Sequence, residues 1–390
     1  MRLLILSPDF PSPANPVPSI FVQTQAIELQ RHGVLVTVCA PTPMVLPGQA
    51  ALKPQWRTYA QIPRSYQVER VEVRRPRYFA FPGENFWAWP HYAKALSLRG
   101  LSADQFNLIH AHFAHPEGTL GLLLKRRWKK PLVVTLHGDD ANTYPEQSPR
   151  YRKYYERVLA QADLILAVSD GIRQKAQART QRPVLTHRVG LRLPPIQEKP
   201  DKRALRSELG LPQDRFVLLF VGTLVQYKGV LELSEALRQL DDEGVLAVFI
   251  GDGPLRDGLG GTSRTRRILL GQQPNAVVRR YMAAADALIL PSYREGLPTV
   301  VVEAGAVGLP VIASNRGGTP EIVTPETGYR LEEISPAAIL AAIAQVRSDP
   351  LEARARGERL RQHVYRHYDA SRNAQELVQL YRRLLEGALG

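Results

Sequence analysis

The segment "ALILPSYREGLPTVVVEAGAVGLPVIAS" (Ala287 to Ser314) decides the fold that we predict for this chain. It begins and ends with short, continuous apolar runs, residues 287–291 and 310–314, which are typical of buried parallel strands. The residues between them predict a loop followed by a helix with a buried apolar face. Glu295 and Glu303 are the only acidic residues in the segment. Because burying a carboxylate is costly without a partner, both glutamates are candidates for holding a ligand.

The same alternation of apolar strands and amphipathic helices runs through both halves of the chain. The predicted strands are residues 3–6, 35–39, 106–112, 132–138, 164–169, 216–222, 247–251, 267–271, 287–291 and 310–314. Helices are predicted between them, among others around residues 22–29, 117–127, 151–161 and 230–240, and residues 350–389 are predicted to be wholly helical. This pattern predicts an α/β protein whose parallel sheets are covered on both faces.

The segment "VGLRLPPIQEKPDKR" (Val189 to Arg203) interrupts the pattern, because it is rich in proline and charge and has no helical stripe. We therefore predict two doubly wound domains, residues 1–190 and 191–369, with the helix at 370–390 packing back on the first. In such sheets, ligands lie beyond the carboxyl ends of the strands. A cleft between the facing loops of the two domains is the expected site.

Composition limits the class of protein. The chain has 390 residues, of which 44% are hydrophobic and 23% charged, as in globular proteins with sizeable cores. Its one cysteine, Cys39, excludes an intrachain disulfide and a cysteine-based metal site. No apolar stretch is long enough for a signal peptide or a membrane span, which indicates a cytoplasmic protein.

The net charge of +14 favours an anionic partner, such as nucleic acid, a phospholipid surface or a phosphate-bearing substrate. The basic runs are "KRRWKK" (Lys125 to Lys130), "RRPRY" (Arg74 to Tyr78) and "SRTRR" (Ser263 to Arg267). Each is equally compatible with a solvated face, and "KRRWKK" also suits the end of a helix, where the dipole favours cations.

Polar residues follow several predicted strands. Lys228 lies just before a helix start, where free N–H groups favour a phosphate. His137 ends a buried strand, and we expect it to point into the cleft as a neutral imidazole that binds a sugar hydroxyl. The histidines of "HAHFAH" (His110 to His115) have no carboxylate at a metal-ligand spacing, so they indicate a strand-end cluster rather than a metal site.

The run "PSYREGLPTVVVEAGAVGLPVIASNRGGTPEIV", preceded along the chain by "VVTLHGDD", "VGTLVQYKGV" and "FIGDGP", resembles the family-four retaining glycosyltransferases of the GT-B fold. The specific element is E-x7-E, at Glu295 and Glu303. The stretch "NPVPSIFVQTQAIELQRHG" is similar to a bacterial subgroup that makes exopolysaccharides and teichuronic-type polymers. The resemblance covers essentially the whole chain and implies two Rossmann-like domains that face a central cleft.

The resemblance also implies the role of each site residue. Glu303 would accept hydrogen bonds from both ribose hydroxyls of a nucleotide sugar, and Glu295 would contact the transferred sugar near the N–H groups of Gly296 and Leu297. Lys228 would neutralise the diphosphate, and His137 would hold the sugar from the first domain. The other implied donor-binding positions are Thr299, Gly222, Thr223 and Gly271. No metal or other cofactor is implied.

Two departures from the family pattern stand out. Many members have an arginine where this chain has Thr223, which puts a second phosphate-binding cation in doubt. The loop "NPVPSIF" (Asn15 to Phe21) is glycine-free, whereas the family's N-terminal phosphate loop is often rich in glycine.

The expected function is retaining, metal-independent transfer of a hexose or N-acetylhexosamine. The donor is a nucleotide sugar, UDP-linked rather than GDP-linked, and the acceptor is a lipid-linked or polymeric glycan of the cell envelope. A peripheral position on an anionic membrane, through the basic first domain, accompanies this hypothesis. The aromatic stretch at residues 75–92 is either an acceptor groove or core packing.

Three alternatives to transfer would each explain part of the sequence. A nucleotide-sugar epimerase shares the fold. A basic nucleic-acid-binding protein would explain the charge, but basic and aromatic residues are not interleaved as in a recognisable module. A glycoside hydrolase would explain paired carboxylates but not the phosphate-binding loops.

Overall fold

A computed structural model describes residues 1–388 apart from residues 9, 17, 53, 80–97, 99, 194–200 and 261–262. The chain forms two compact units. The first comprises Met1–Arg192 together with Ala370–Gly390, and the second comprises Leu193–Asp369. Each unit has its own parallel sheet.

The first unit contains an eight-stranded sheet with the order β10-β9-β8-β7-β1-β2-β5-β4. Its strands, with the short pair β3 and β6, are β1 (Arg2–Leu6), β2 (Leu35–Cys39), β3 (Thr42–Pro43), β4 (Ser65–Val68), β5 (Val71–Arg74), β6 (Arg77–Tyr78), β7 (Leu108–His112), β8 (Leu132–Leu136), β9 (Leu164–Ala167) and β10 (Val184–Thr186). All neighbours in the sheet run parallel except β4 and β5, which form a hairpin.

The central strands β7 and β8 are buried along their whole length, as expected when helices cover both faces of a sheet. The described helices of this unit are α1 (Ile20–Arg31), α2 (Gln49–Leu52), α3 (Pro54–Gln61), α4 (Thr119–Trp128), α5 (Asp139–Asn142), α6 (Tyr144–Gln147), α7 (Pro149–Gln161) and α8 (Asp170–Gln177). A single π-turn at Ala114–Gly118 precedes α4.

The second unit contains a six-stranded parallel sheet with the order β13-β12-β11-β14-β15-β16. Its strands are β11 (Phe216–Val221), β12 (Val245–Ile250), β13 (Arg266–Leu269), β14 (Ala287–Leu290), β15 (Val311–Ser314) and β16 (Tyr329–Leu331). Its helices are α9 (Lys202–Glu208), α10 (Val230–Leu240), α11 (Asn275–Ala284), α12 (Thr299–Ala306), α13 (Pro336–Ser348) and α14 (Pro350–His367). This is the dinucleotide-binding strand order, which reverses direction between β11 and β14.

Apolar patterning explains these elements. The strand β11 is buried along its central residues, as expected for a strand with helices on both faces. The helix α10 buries Val230, Leu233 and Leu237, which recur at the spacing of one helical face. Ser335 caps α13, because its side chain accepts a hydrogen bond from the N–H of Ala338.

The last helix, α15 (Ala370–Leu385), belongs to the first unit. Leu377, Val378 and Tyr381 lie in the core that also contains Val22 and Leu29 of α1. The hydroxyl of Tyr381 lies 2.6 Å from Nδ1 of His110 on β7. The terminal helix therefore completes the core of a unit that begins at residue 1.

Two sequence predictions differ from the structure. Residues 350–389 are not wholly helical, because α14 ends at His367 and α15 begins at Ala370, whose N–H donates to the carbonyl of Leu191. The run "RRPRY" is not a solvated face. Arg75 is only 4% exposed, and its guanidinium donates to the carbonyl of Phe10 and the hydroxyl of Tyr66.

The other two basic runs, "KRRWKK" and "SRTRR", contain residues that pair with carboxylates of the protein. The run "KRRWKK" ends α4, where Lys125 Nζ lies 2.6 Å from the carboxylate of Asp163. In "SRTRR", Arg264 pairs with Asp241 at 3.2 Å.

Replacing Tyr381 with alanine should destabilise the first unit by about 3–5 kcal/mol, because a fully buried aromatic ring is lost. All four tryptophans, at positions 56, 87, 89 and 128, belong to the first unit, so urea denaturation followed by tryptophan fluorescence reports on it. Leu385→Ala on the same helix is the control, since Leu385 is exposed and its loss should cost less than about 0.5 kcal/mol. Equal effects of the two substitutions would contradict the packing of α15 described above.

Candidate functional site

The second unit brings together two residues predicted from separate motifs. Lys228 follows β11 and Glu295 follows β14, and these strands are hydrogen-bonded neighbours in the sheet. Lys228 Nζ lies 2.6 Å from Glu295 Oε1, and the side chains are 18% and 9% exposed. The pair therefore lies at the point where the strand order reverses, which is where ligands bind in such sheets.

The loop that carries Glu295 is anchored on both sides. On one side, the N–H of Tyr293 donates to the carbonyl of Tyr227 at 2.8 Å. On the other, the N–H of Gly318 donates to the carbonyl of Gly296 at 2.8 Å. The position of the carboxylate is thus fixed by main-chain contacts with the loops after β11 and β15.

Glu303 is the fifth of the eight residues of α12 and differs from Glu295. It is half-buried, and burial raises the pKa of its carboxyl, while the charge of Arg279 acts in the opposite direction. No hydrogen bond or ion pair joins its carboxylate to any residue within the described part of the chain. Such a carboxylate is available to accept hydrogen bonds from a ligand.

The other predicted donor-binding residues lie at the same edge of the sheet. Gly222 and Thr223 follow β11, and Thr223 is exposed. Gly271 follows β13, and its carbonyl accepts from the N–H of Gly251 at 2.9 Å. Thr299 is the first residue of α12, and Leu297 precedes it by two positions. The structure thus groups these residues around the ends of β11, β13 and β14.

In the first unit, His137 lies at the end of β8 with 9% of its surface exposed. Its Nε2 lies 2.9 Å from Nδ1 of His112, and its ring packs against Phe21 and Phe113. Burial lowers the pKa of His137 well below its usual value, so the imidazole is neutral, as the sequence predicted.

The hydrogen bonds of His112 determine which nitrogen of His137 carries its proton. Nε2 of His112 is buried and has no partner among the described residues. An orphaned N–H is rarer than an orphaned acceptor in buried sites, so the His112 proton lies on Nδ1 and is donated to Nε2 of His137. His137 therefore carries its own proton on Nδ1 and is a donor there.

Asp140 was not selected from the sequence, although it ends the motif "TLHGDD" that contains His137. It is buried and accepts hydrogen bonds from the N–H groups of His137, Gly138 and Ala114 at 2.9–3.1 Å. Asp140 lies four residues beyond the end of β8, and aspartate side chains in such loops often accept hydrogen bonds from nearby main-chain N–H groups. Its role is to position the His137 loop.

The aromatic stretch predicted as an acceptor groove or core at residues 75–92 falls mostly outside the described residues. Across the described residues, no cluster of three or more histidine, cysteine, aspartate or glutamate side chains is arranged to hold a metal ion. Nor is any described helix long and apolar enough to cross a membrane.

Two protein-family models match most of this chain. Residues 19–185 match the family "Glycosyltransferase Family 4", and residues 201–363 match "Glycosyl transferases group 1". Two solved structures similar across nearly the whole length of both chains are the sucrose-phosphate synthase of Thermosynechococcus elongatus and HepE of Anabaena in complex with UDP-glucose. For the first, TM-score is 0.79 and identity 21%, with 99% of this chain and 100% of that one covered. For HepE, the TM-score is 0.72 and the identity 20%, with 98% of this chain and 99% of HepE covered. They have the GT-B fold, with two Rossmann-like domains.

A more similar sequence comes from Bacillus subtilis (strain 168). It is named as a teichuronic acid biosynthesis glycosyltransferase, TuaC, and is 35% identical over 389 residues, covering 98% of both chains. The chain therefore belongs to the family-four glycosyltransferases with the GT-B fold. These matches do not support the epimerase or the nucleic-acid-binding alternative.

Buried neutral histidines make the stability of the first unit depend on pH. Burial lowers the pKa of His112 to about 3 and that of His110 well below the usual value. Because the unfolded chain binds protons near pH 6.5 and the folded chain does not, stability is full above that pH and falls as the pH decreases. We expect a loss of about 1.4 kcal/mol per buried histidine between pH 7.5 and 5.5.

Urea denaturation at the two pH values, followed by tryptophan fluorescence, measures this loss. His112→Gln should make the difference smaller, because a glutamine side chain takes up no proton when the chain unfolds. A pH difference that is the same in the parent and His112→Gln would contradict the assignment.

Replacing Gly317 with alanine should displace Glu295. Gly317 has a φ of +59°, and an added Cβ would lie 1.7 Å from the carbonyl oxygen of Glu295. We expect a loss of roughly 1–3 kcal/mol in stability, as for overpacked sites, measured by circular dichroism during thermal unfolding. Gly258→Ala is the matched control, because an added Cβ there meets open space. If both variants unfold at the parent temperature, the loop is not held as described.

Proposed function

We propose that this protein is a retaining glycosyltransferase that moves a hexose or N-acetylhexosamine from a nucleotide sugar to a lipid-linked or polymeric acceptor in cell-envelope glycan synthesis. The observation that carries the proposal is the half-buried carboxylate of Glu303, which has no hydrogen-bond or ion-pair partner among the described residues. It lies on the helix that follows the loop of the Lys228–Glu295 pair. A ribose with two adjacent hydroxyls is the ligand that best satisfies such a carboxylate.

The related proteins support the two ends of the reaction. HepE has been solved with UDP and with UDP-glucose, which favours UDP over GDP as the nucleotide here. The name of TuaC refers to teichuronic acid biosynthesis, which favours a cell-envelope glycan as the acceptor. A donor of this kind places the enzyme in the cytoplasm, at the inner membrane surface when the acceptor is lipid-linked.

The chemistry that we propose needs no enzymic base. The bond between the anomeric carbon and the diphosphate oxygen breaks, and its electrons remain on the phosphate. The acceptor hydroxyl oxygen bonds to the same face of the anomeric carbon and gives its proton to the leaving phosphate. Lys228 and the N–H groups at helix starts stabilise the negative charge that develops on the diphosphate. A metal ion is therefore not required.

The remaining residues hold the sugar. Glu295 is fixed by its neighbouring loops and by its ion pair with Lys228, and it accepts hydrogen bonds from sugar hydroxyls. His137 offers its Nδ1–H to a sugar oxygen. For the acceptor, the first unit contains a pocket of about 290 Å³ lined by Arg75, Glu117 and Tyr144, among other residues.

Calorimetric titration with UDP and GDP, with and without magnesium, tests the proposal. UDP should bind without magnesium, and Glu303→Ala should weaken binding at least about tenfold, since losing a charged hydrogen bond costs about 1.4 kcal/mol or more. Glu333→Ala removes an exposed carboxylate of the same unit and should bind like the parent.

Three outcomes would count against parts of the proposal. If neither nucleotide binds, or if Glu303→Ala binds as the parent does, the donor site is wrong. Binding only with magnesium would overturn metal independence. With a radiolabelled UDP-sugar, formation of an epimeric nucleotide sugar instead of a glycoside would overturn transfer.

A further inference from the structure

The donor site as described is short of positive charge. A nucleotide-sugar diphosphate carries about two negative charges, which grow on the leaving oxygen as the glycosidic bond breaks. Lys228 is the predicted cation, but it is already paired with Glu295 at 2.6 Å, so the pair together carries no net charge. Thr223, exposed at the end of β11, adds none. Charge balance therefore favours a further cation for the diphosphate at this edge of the sheet.

We propose that Arg294 is this cation and binds the diphosphate of the donor. The proposal rests on the proposed function. Arg294 immediately precedes Glu295 in the loop after β14. Its Cζ lies 4.9 Å from the ring centroid of Tyr227, and Nζ of Lys228 lies 5.7 Å from the same centroid. Both cations therefore contact the same exposed tyrosine ring, near the ends of β11 and β14.

Arg294 is available for a ligand. Its side chain is exposed, and within the described residues its guanidinium has neither a hydrogen bond nor an ion pair, only the stacking contact with Tyr227. Two other arginines of this unit, Arg206 and Arg267, are instead hydrogen-bonded to the protein. Arg206 donates to the carbonyl of Ala284 and to Asp286, and Arg267 donates to Ser234 and to the carbonyl of Leu259.

The stacking contact also prepares the guanidinium for binding. The main-chain hydrogen bond from Tyr293 to Tyr227 holds the two loops together, and the ring restricts the planar guanidinium that lies against it. A planar guanidinium donates two parallel hydrogen bonds to phosphate oxygens, which an ammonium group cannot do. Less side-chain freedom is then lost when the diphosphate binds.

Binding of uridine, UMP and UDP to Arg294→Gln distinguishes a phosphate contact from a general structural role. We expect UDP to bind about 5- to 20-fold more weakly than to the parent, uridine to bind equally well, and UMP to show a smaller loss than UDP. Arg294→Lys should recover part of the UDP affinity, because it keeps the charge but loses the fork. Arg238→Gln is the matched control. It removes an exposed arginine in the last turn of α10, at the end of the helix away from Lys228, and should change none of the three affinities.

The outcomes separate this inference from the function on which it rests. Glu303→Ala should weaken uridine and UDP alike, because it acts on the ribose. If the parent and Glu303→Ala behave in this way but Arg294→Gln binds UDP like the parent, the inference about Arg294 alone is overturned. Equal weakening of uridine and UDP in Arg294→Gln would also overturn it, as a structural effect. If the parent does not bind UDP, both proposals fail.

Discussion

The parallel pairing of β11 with β14 is the constraint on which the candidate donor site depends. They are the first and fourth strands of their sheet in chain order. Strands after β11 are added on one side of it, and from β14 onward they are added on the other. The connections that follow these two strands run in opposite directions along the sheet. Neither connection covers the other strand's loop, so both loops are accessible at the same edge of the sheet. The Lys228–Glu295 ion pair and the hydrogen bond from Tyr293 to Tyr227 are consequences of that adjacency. Gly317 completes the arrangement by allowing a third loop to approach the Glu295 backbone.

Much of the fold could be predicted from the sequence, because its central strands are continuous apolar runs. Leu35–Cys39 was predicted residue for residue, and β11, β14 and β15 to within one. The short strands β4, β5, β10 and β16 were not predicted, since strands such as Ser65–Val68 mix polar and apolar residues and lie near sheet edges. Residue types and motifs also selected Glu295, Glu303, Lys228 and His137. Spacing along the chain could not reveal that Lys228 pairs with Glu295, nor that His112 orients His137, because both contacts join residues on different strand ends.

Two of the arginines, Arg75 and Arg206, are used inside the protein. Arg75 donates to the carbonyl of Phe10, to Thr42 on β3 and to Tyr66 on β4, and Arg206 donates to main-chain carbonyls and to Asp286. Each guanidinium supplies several donors in a fixed plane, so one side chain can satisfy carbonyls from separate loops. A net charge of +14 is therefore a poor guide to an anionic partner. The informative cations are those without a protein partner.

The position of α15 in the first unit has a consequence for how the chain folds during synthesis. The second unit is continuous from residue 193 to 369 and can form its sheet as soon as it has been made. The first unit cannot complete its core until residues 370–390 follow, because Leu377 and Tyr381 fill the space beside α1. The domain that is synthesised first is thus the last to be finished. During that interval its apolar surface at Val22 and Leu29 is open to misassembly and to chaperones.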